Sequence, residues 1–311
     1  MLHRIAITGA AGYTGAVLID RLQREPAFEY ILAMDVRPML PCGKMVFIPR
    51  DVGQPLGDVF AQHNIQAVVH LAYILRPGRD REAVRQVNVG GTLNVLQACL
   101  AGKVEQILDF SSTTVYGAHE DNPPLLTEES PCRPNRGFQY AEDKVVSEQL
   151  LHKFSLEHPE IAVTILRGCV AMGPKADNFI SSTLSTSLLV AIKGFDPPMQ
   201  FIHEDDLLDA MLVCLRKKAK GTYNVAGNGT VTWREMVRMA KRRCVTLPAS
   251  LLYPITEGSW RVRLQNDSPS CGLDMIRYPW VASTEKIKRE LGIGFRYTSK
   301  EALEAFLHAE R

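Results

Sequence analysis

The stretch RIAITGAAGYTGAVLIDRL, residues 4–22, joins a short apolar run, a glycine-rich turn and an amphipathic segment. The run Ile5–Ile7 predicts a buried β-strand, and the helical spacing of apolar residues after the glycines predicts an α-helix. Gly9, Gly12 and Gly15 lie in the turn, where missing side chains permit a tight turn, close backbone approach to a pyrophosphate and close helix packing. Free N–H groups at the start of the helix would then bind the phosphates.

An acidic residue follows at the distance that dinucleotide-binding folds require. Asp35 ends the next apolar run, YILAM at residues 30–34, roughly twenty residues beyond the glycines. In such folds this carboxylate accepts hydrogen bonds from ribose hydroxyls and repels a 2′-phosphate. The sequence therefore predicts a dinucleotide site that prefers NAD to NADP. Arg37, two residues after Asp35, leaves NADP as the alternative cofactor.

The composition excludes several classes of function. The chain has 311 residues, 46% of them hydrophobic, and a formal net charge of +2. No basic block indicates nucleic acid, and no apolar run is long enough to span a bilayer. The seven cysteines form no CxxC pair and have no neighbouring histidine cluster. We therefore expect reduced thiols, no metal site, and a cytoplasmic protein with neither nucleic acid nor membrane as a partner.

Apolar runs and helical patterns alternate along the first two thirds of the chain. This alternation predicts an α/β fold: a Rossmann-type doubly wound parallel sheet with a smaller mixed α/β C-terminal substrate lobe. The expected bounds are an NAD-binding domain at 1–174, completed by 199–227, and a substrate lobe at 175–198 and 228–311. The longest helices that the pattern predicts are 85–100, 138–158 and 178–193.

Two side chains on the predicted helix 138–158 have the spacing of a catalytic pair. Tyr140 and Lys144 are four residues apart, so they share one helix face. An ammonium close to a phenol favours the phenolate and lowers its pKa from about 10. Such a tyrosine acts as general base for a hydroxyl that is oxidised, or as acid for a carbonyl that is reduced. Ser112 ends the preceding strand, at the sheet edge where ligands bind, and can hydrogen-bond the reacting oxygen.

Further short segments stand in a fixed order along nearly the whole chain. They are TGAAGYTG at 8–15, Asp51-Val52, HLAY at 70–73, NVGGTLNVLQAC at 88–99, SSTTVYG at 111–117, YAEDK at 140–144, LRGCVAMGP at 166–174, FIHEDD at 201–206 and GTYNVAG at 221–227. In this order they resemble the landmarks of the extended short-chain dehydrogenase/reductases. The resemblance is to the NAD-dependent sugar-nucleotide epimerase/dehydratase branch, which includes UDP-glucose 4-epimerase.

The resemblance implies where a cofactor and a substrate would bind. The cofactor NAD would contact Gly9, Ala11, Gly12, Tyr13, Thr14, Gly15, Asp35, Arg37, Asp51, Val52, Leu71, Ala72, Tyr73, Asn88, Tyr140, Lys144, Arg167 and Cys169. The substrate would contact Thr113, Val170, Met199, Arg263 and Arg277, and no metal is implied. The catalytic group would be Ser112, Tyr140 and Lys144.

Two departures from the family pattern concern the substrate. Val170 stands where the family commonly has an asparagine that contacts the sugar. Met199 and Gln200 stand where a basic residue often holds the substrate diphosphate. Phosphate recognition requires arginine, lysine or helix N–H groups, so Arg263 and Arg277 are the candidate replacements.

These features favour an NAD-dependent nucleotide-sugar epimerase. In this hypothesis Tyr140 removes a proton from a sugar hydroxyl while NAD takes the hydride, which then returns to the other face of the keto-sugar. One alternative is a one-way NAD(P)-dependent reductase or dehydrogenase of a small apolar alcohol or ketone, which the apolar Val170, Met172 and Met199 favour. Another is a non-catalytic NAD-binding sensor. The resemblance also implies a homodimer built from the helices near 85–100 and 138–158.

Overall fold

The computed structural model describes residues 4–76, 78–265 and 268–309. Its strands are β1 (Arg4–Thr8), β2 (Tyr30–Asp35), β3 (Met45–Pro49), β4 (Ala67–His70), β5 (Gln106–Ser112), β6 (Ala162–Gly168), β7 (Val170–Met172), β8 (Leu188–Ile192), β9 (Pro198–Met199), β10 (Phe201–His203), β11 (Gly221–Val225), β12 (Val231–Thr232) and β13 (Arg243–Leu247). Seven of them form one parallel sheet in the order β11-β6-β5-β4-β1-β2-β3.

Helices cover both faces of this sheet and also occur in the C-terminal part of the chain. They are α1 (Tyr13–Gln23), α2 (Val59–Gln62), α3 (Arg81–Arg85), α4 (Gly91–Ala101), α5 (Gln139–Glu157), α6 (Phe179–Ser185), α7 (Glu204–Lys217), α8 (Trp233–Met239), α9 (Ala249–Arg261), α10 (Glu285–Leu291) and α11 (Ser299–Ala309). A π-helical segment at Gln86–Gly90 joins α3 to α4, and 3-10 segments lie at Thr113–Tyr116 and Ser270–Ile276. None of the described helices is long and apolar enough to cross a bilayer.

Two hydrophobic cores, one on each face, explain why the central strands are apolar throughout. On one face Leu18 of α1 and Leu207 of α7 pack with Ile7 of β1. On the other face Leu96 of α4 and Leu151 of α5 pack with the remaining side chains of the same strands. Strands covered on both sides need no polar face, so they read as continuous apolar runs. The predicted Rossmann-type, doubly wound α/β fold is confirmed.

The strand order reverses between β1 and β4, and this reversal places the site. The chain leaves β1 for α1 on one face of the sheet and leaves β4 for α4 on the other. Such a reversal opens a crevice beyond the carboxyl ends of the two strands. Thr8 and His70 end these strands, and Thr8 Oγ1 lies 2.7 Å from His70 Nδ1. The hydrogen bond fixes the floor of the crevice.

The C-terminal part of the chain builds a separate hydrophobic cluster beside the sheet. Three two-stranded sheets belong to it: β7 with β10, β9 with β12 and β8 with β13. Trp233, Trp280 and Leu303 are among its buried residues. Thr232 caps α8, because its hydroxyl accepts a hydrogen bond from the Glu235 N–H at 3.2 Å.

Two of the three longest predicted helices need correction. The predicted helix 178–193 is wrong in its second half, because α6 ends at Ser185 and Leu188–Ile192 forms β8. The run LLVAI is too short and too uniformly apolar for periodicity to separate a strand from a helix. The predicted helix 85–100 is divided by the π-helical segment, whereas α5 differs from the predicted 138–158 by one residue at each end.

Candidate active site

The turn between β1 and α1 leaves no room for side chains. Gly9 has a φ of +68°, the left-handed conformation that favours glycine. A Cβ on Gly9 would stand 2.5 Å from the Ala72 nitrogen, and one on Gly15 would stand 2.6 Å from the Ala10 carbonyl oxygen. Gly12 is the N-cap of α1, so the first N–H groups of this helix face the turn. This cradle fits a pyrophosphate.

Asp35 is fixed beside the turn at the end of β2. Its Oδ2 accepts a hydrogen bond from the Ala11 N–H at 3.0 Å, and its Oδ1 accepts one from the Arg37 N–H at 2.9 Å. The Arg37 Nε lies 3.5 Å from the same Oδ1, and the Arg37 side chain is 63% exposed. A carboxylate in this position fits the ribose hydroxyls of a dinucleotide.

The segment after β4 is tied to the first strand. The Leu71 N–H donates to the Thr8 carbonyl oxygen at 3.1 Å, and the Ala72 N–H donates to Thr8 Oγ1 at 3.3 Å. The ring of the next residue, Tyr73, meets the ring of Tyr140 edge to face at 5.5 Å. This segment therefore joins the glycine turn to α5.

Asn88 fixes the continuation of that segment. It is fully buried in the π-helical segment, and its Oδ1 accepts a hydrogen bond from the Ile74 N–H at 2.8 Å. Its Nδ2 donates to Asp143 on α5 at 3.2 Å, and Arg85 lies 3.1 Å from the other oxygen of that carboxylate. Asn88 therefore supports the crevice through its neighbours.

Asp51 and Val52 follow β3 at the edge of the sheet. Val52 is buried, and its carbonyl oxygen accepts a hydrogen bond from Asn94 on α4 at 2.7 Å. Asp51 is exposed, and its Oδ1 accepts one from the Gly53 N–H at 2.8 Å. The pair is thus held in place by α4 with the carboxylate at the surface.

Ser112, Tyr140 and Lys144 converge at the carboxyl edge of the sheet. Ser112 is the last residue of β5, and its side chain lies near enough to Tyr140 on α5 to lower the pKa of that phenol. Lys144, one helical turn later, is 3% exposed. Its Nζ donates to the Phe110 carbonyl oxygen at 2.7 Å and lies 3.7 Å from the centre of the Tyr73 ring. Two hydroxyls and an ammonium thus share one enclosed site.

The pKa of Tyr140 differs from the sequence prediction. Burial raises it to about 12, and the side chain of Ser112 only partly offsets this effect. In the protein alone this pKa is therefore raised where the sequence predicted a lowered one, because burial is the largest influence on it. Burial also lowers the pKa of Lys144, since it disfavours the ammonium.

Arg167 was expected to contact the cofactor, but the structure directs its donors at other side chains. Its Nε and Nη2 donate to both oxygens of Glu148 on α5, the shortest distance being 2.6 Å. Its Nη1 donates to the Tyr116 hydroxyl at 2.9 Å, and its side chain is 5% exposed. With its donors directed at these partners, Arg167 joins β6 to α5 and is not available to a ligand.

Four other predicted contacts lie at the base of the site. Thr113 is fully buried and its hydroxyl approaches the Gly168 carbonyl oxygen at 3.5 Å, so it does not face a substrate. Met199 is 1% exposed because β9 pairs with β12, so little of its side chain is open to a substrate. Cys169 is 5% exposed directly after β6. Val170 is partly exposed in β7, next to β10.

Arg277 and Arg263, the two arginines proposed to bind a diphosphate, differ in their surroundings. The Cζ of Arg277 lies 4.7, 5.6 and 4.8 Å from the ring centres of Phe195, Tyr253 and Tyr278. Its Nε is buried and has no hydrogen-bond partner among residues 4–76, 78–265 and 268–309. Arg263 follows α9, is exposed and has a φ of +62°. Of these two arginines, only Arg277 is thus packed against aromatic side chains.

Sequence reasoning missed one contact to the nucleotide turn. The Tyr13 hydroxyl donates to Glu204 Oε2 at 2.5 Å, and Glu204 begins α7. Burial and this carboxylate raise the pKa of Tyr13. Thr14 follows in the first turn of α1. No short-range pattern signals this contact, because the partners are far apart in the chain.

Comparisons with known proteins agree with this geometry. The model of the NAD dependent epimerase/dehydratase family matches residues 5–226. The chain is 26% identical to a UDP-glucose 4-epimerase of Yersinia enterocolitica, over 76% of this chain and 80% of that protein. It is 26% identical to a dihydroflavonol 4-reductase of Zea mays, over 96% of this chain and 85% of that protein.

A solved structure shares the whole fold. It is that of MoeE5 in complex with UDP-glucuronic acid and NAD, with a TM-score of 0.79 and 23% identity over 99% of each chain. The family match covers well over half of the chain and includes the glycine turn, Ser112, Tyr140 and Lys144. The chain therefore belongs to the NAD dependent epimerase/dehydratase family, a family of enzymes whose cofactor is NAD.

Proposed function

We propose that this enzyme is a nucleotide-sugar epimerase in which Tyr140 is the acid and base. The observation that carries the proposal is the convergence of Ser112, Tyr140 and the buried Lys144 at the carboxyl edge of the sheet. This edge also carries the glycine turn, so a sugar hydroxyl bound against Ser112 and Tyr140 would lie beside the cofactor.

The residues present fit NAD. Gly9 and Gly15 let the turn pack directly against the backbone of Ala72 and Ala10. The free N–H groups at the start of α1 would then bind the pyrophosphate, and Asp35 would accept the ribose hydroxyls. Lys144 would donate to the ribose nearer the nicotinamide. When bound, NAD supplies a reversible hydride acceptor with a positively charged ring.

The chain's own residues move the proton. Tyr140 must be a phenolate to accept a proton from the substrate hydroxyl, although burial raises its pKa to about 12 in the protein alone. Positive charge at Lys144 and in the cofactor favours the phenolate. Ser112 donates to the substrate oxygen and orients it. The same phenol returns the proton when the carbonyl is reduced.

A nucleotide-sugar brings a diphosphate, and Arg277 is the side chain best placed to bind it. Burying a diphosphate without cations or N–H donors is very unfavourable. Arg277 has an unpartnered, buried Nε and aromatic rings that fix its guanidinium. Met199 cannot help, since it is apolar and buried.

Calorimetry with UDP on the NAD-loaded enzyme tests this site. We expect Arg277→Ala to weaken UDP binding by about tenfold or more, because a charge-assisted hydrogen bond is lost. Arg263→Ala is the matched control and should leave the affinity unchanged. UDP binding that survives Arg277→Ala would show that the diphosphate lies elsewhere. Interconversion of UDP-glucose and UDP-galactose without net NADH would support the epimerase itself.

A second candidate is a one-way reductase of an apolar ketone. It is favoured by Val170, which is partly exposed where the family commonly has asparagine. The similarity to a dihydroflavonol 4-reductase over 96% of the chain also supports it. Net formation or consumption of NADH with substrate would separate this reaction from epimerisation. No detectable UDP binding would favour it.

We infer three further properties of the molecule. The sheet with residues 1–174 and 199–227 forms the NAD-binding domain, and the cluster beside it forms the substrate lobe. A homodimer forms through α4 and α5, which carry exposed leucines. The seven cysteines are all free, which supports a reducing compartment such as the cytoplasm.

A further inference from the structure

A buried carboxyl group lies behind the catalytic helix and has no part in the mechanism above. Asp109 in β5 is 1% exposed. Its Oδ2 has no hydrogen-bond partner among the described residues. A buried polar atom without a partner is unfavourable unless a nearby charge of opposite sign stabilises it. The surroundings of Asp109 therefore need to contain a cation.

The side chain of Asp109 faces the layer between the sheet and α5. Side chains two residues apart on a strand point to the same side, and Ser111 donates to Glu148 Oε1 on α5 at 2.5 Å. The ladder partner of Asp109 on β4 is His70. The His70 ring contacts Thr92 of α4 at 3.2 Å, which places it in the same layer.

Lys144 reaches into this layer from α5. Its Nζ donates to the carbonyl oxygen of Phe110, the residue next to Asp109. Burial disfavours the ammonium, and the negative charge of Asp109 opposes that effect. We propose that Asp109 is the buried counter-ion of Lys144 and a positioning residue for the Tyr140–Lys144 pair. The proposal rests on the catalytic roles assigned above to these two residues.

The other titratable groups around Asp109 do not replace it. They are His70 on β4, Tyr73 in the loop that follows β4, and Tyr140, Lys144 and Glu148 on α5. The pKa of His70 falls to about 3 through burial and the nearby Lys144, so the imidazole is neutral. Glu148 already binds Arg167 and Ser111. Asp109 is therefore the carboxylate in this layer without a cation of its own.

The charge of Asp109 shifts the pKa values of both catalytic groups in the same direction. Burial raises the pKa of Asp109 to about 6, so the carboxylate is ionised above that pH. Its negative charge raises the pKa of Tyr140 and of Lys144. Removing the charge therefore lowers both values. If phenolate and ammonium are both required, both limbs of the pH–rate profile move to lower pH.

Asp109→Asn removes the charge and keeps the shape of the side chain. We expect the acid and alkaline limbs of the kcat/KM profile to shift together to lower pH, by about half a unit or more. Asp143→Asn, on α5 beside Lys144 and paired with Arg85, is the control for which both limbs should stay in place. A loss of rate with unmoved limbs would mean a merely structural role and would overturn the proposal.

A spectroscopic titration needs no substrate and separates this proposal from the epimerase reaction. Tyrosinate absorbance of the NAD-loaded protein, minus that of its Tyr140→Phe variant, reports the ionisation of Tyr140. In the Asp109→Asn background this transition should occur at lower pH, whatever the substrate proves to be. An unchanged transition would refute the coupling.

If Asp109→Asn does not fold, the reciprocal measurement decides. Lys144 lowers the pKa of Asp109, so Lys144→Met should raise it. Carboxyl carbon NMR of the full-length protein can follow Asp109 through its transition near pH 6. A resonance whose midpoint is the same with and without Lys144 would overturn the counter-ion assignment.

Discussion

Tyr140 lies near Ser112, and Tyr140→Phe removes one oxygen atom from the proposed proton path. We expect turnover to fall by about a hundredfold or more. NAD affinity, measured by calorimetry, should persist, because the ring against Tyr73 remains. Tyr30→Phe removes a hydroxyl near His63, far along the sheet from the site, and should leave turnover intact. Near-normal turnover of Tyr140→Phe would exclude the assigned mechanism.

The raised pKa of Tyr140 also predicts the pH dependence of each reaction direction. The group is a neutral phenol below its pKa, about 12 in the protein alone, and positive charge in the loaded site lowers that value. Oxidation of a hydroxyl needs the phenolate, so its rate should rise with pH. Reduction of a carbonyl needs the phenol and should fall as pH rises through the same transition. Opposite slopes in steady-state assays would support one shared group, and parallel slopes would exclude it.

Substitution of Asp35 tests which residue determines the choice between NAD and NADP. Its carboxylate both repels a 2′-phosphate and lies 3.5 Å from the Arg37 Nε. Asp35→Ala should therefore weaken the binding of NAD and strengthen the binding of NADP. The ratio of the two affinities should fall by about tenfold or more. Fluorescence titration with both reduced dinucleotides measures the ratio. In the double variant Asp35→Ala/Arg37→Ala, the increase in NADP affinity should disappear. An increase that persists would mean that Arg37 does not bind the 2′-phosphate.

Elements were predictable where a local pattern determines them. α7 follows from helical periodicity, and the strand β4 follows from a buried apolar run. β8 was mistaken for helix because its partner β13 comes much later in the chain. The π-helical segment places the buried Asn88 between Ile74 and Asp143, and no local pattern signals that packing. The structures of β8 and of the π-helical segment thus depend on contacts with residues that are distant in the sequence.

The contact between α5 and β6 shows the same limit and gives a stability prediction. Arg167 and Glu148 form a buried ion pair, 5% and 3% exposed. Leaving either charge unpaired costs about 3–5 kcal/mol, so Arg167→Met and Glu148→Gln should each lower the free energy of unfolding by that amount. The double variant should lose less than the sum. Urea unfolding measures these values, and Arg167→Met with normal stability but weaker NAD binding would restore Arg167 to the cofactor site.

At the scale of the molecule, the fold and the cofactor half of the site were readable because they impose backbone demands on short segments. Gly9 needs a positive φ, and Asp35 must end a strand beside it. The substrate half was not readable in this way. Whether Met199 is buried or Arg277 is enclosed by aromatic rings depends on how the C-terminal cluster packs. Substrate contacts therefore required the structure.

Association of two chains is the last property to test. Leu93 and Leu100 are 43% and 39% exposed on one stripe of α4, which packs beside α5. Apolar side chains exposed on neighbouring helices favour burial against a second copy. Light scattering should give twice the chain mass, and Leu93→Glu should give one chain mass, because a buried unpaired carboxylate opposes association. Leu40→Glu, at a leucine 89% exposed after β2, is the matched control and should remain dimeric. A monomeric parent protein, or a dimer that survives Leu93→Glu, would show that α4 is not the interface.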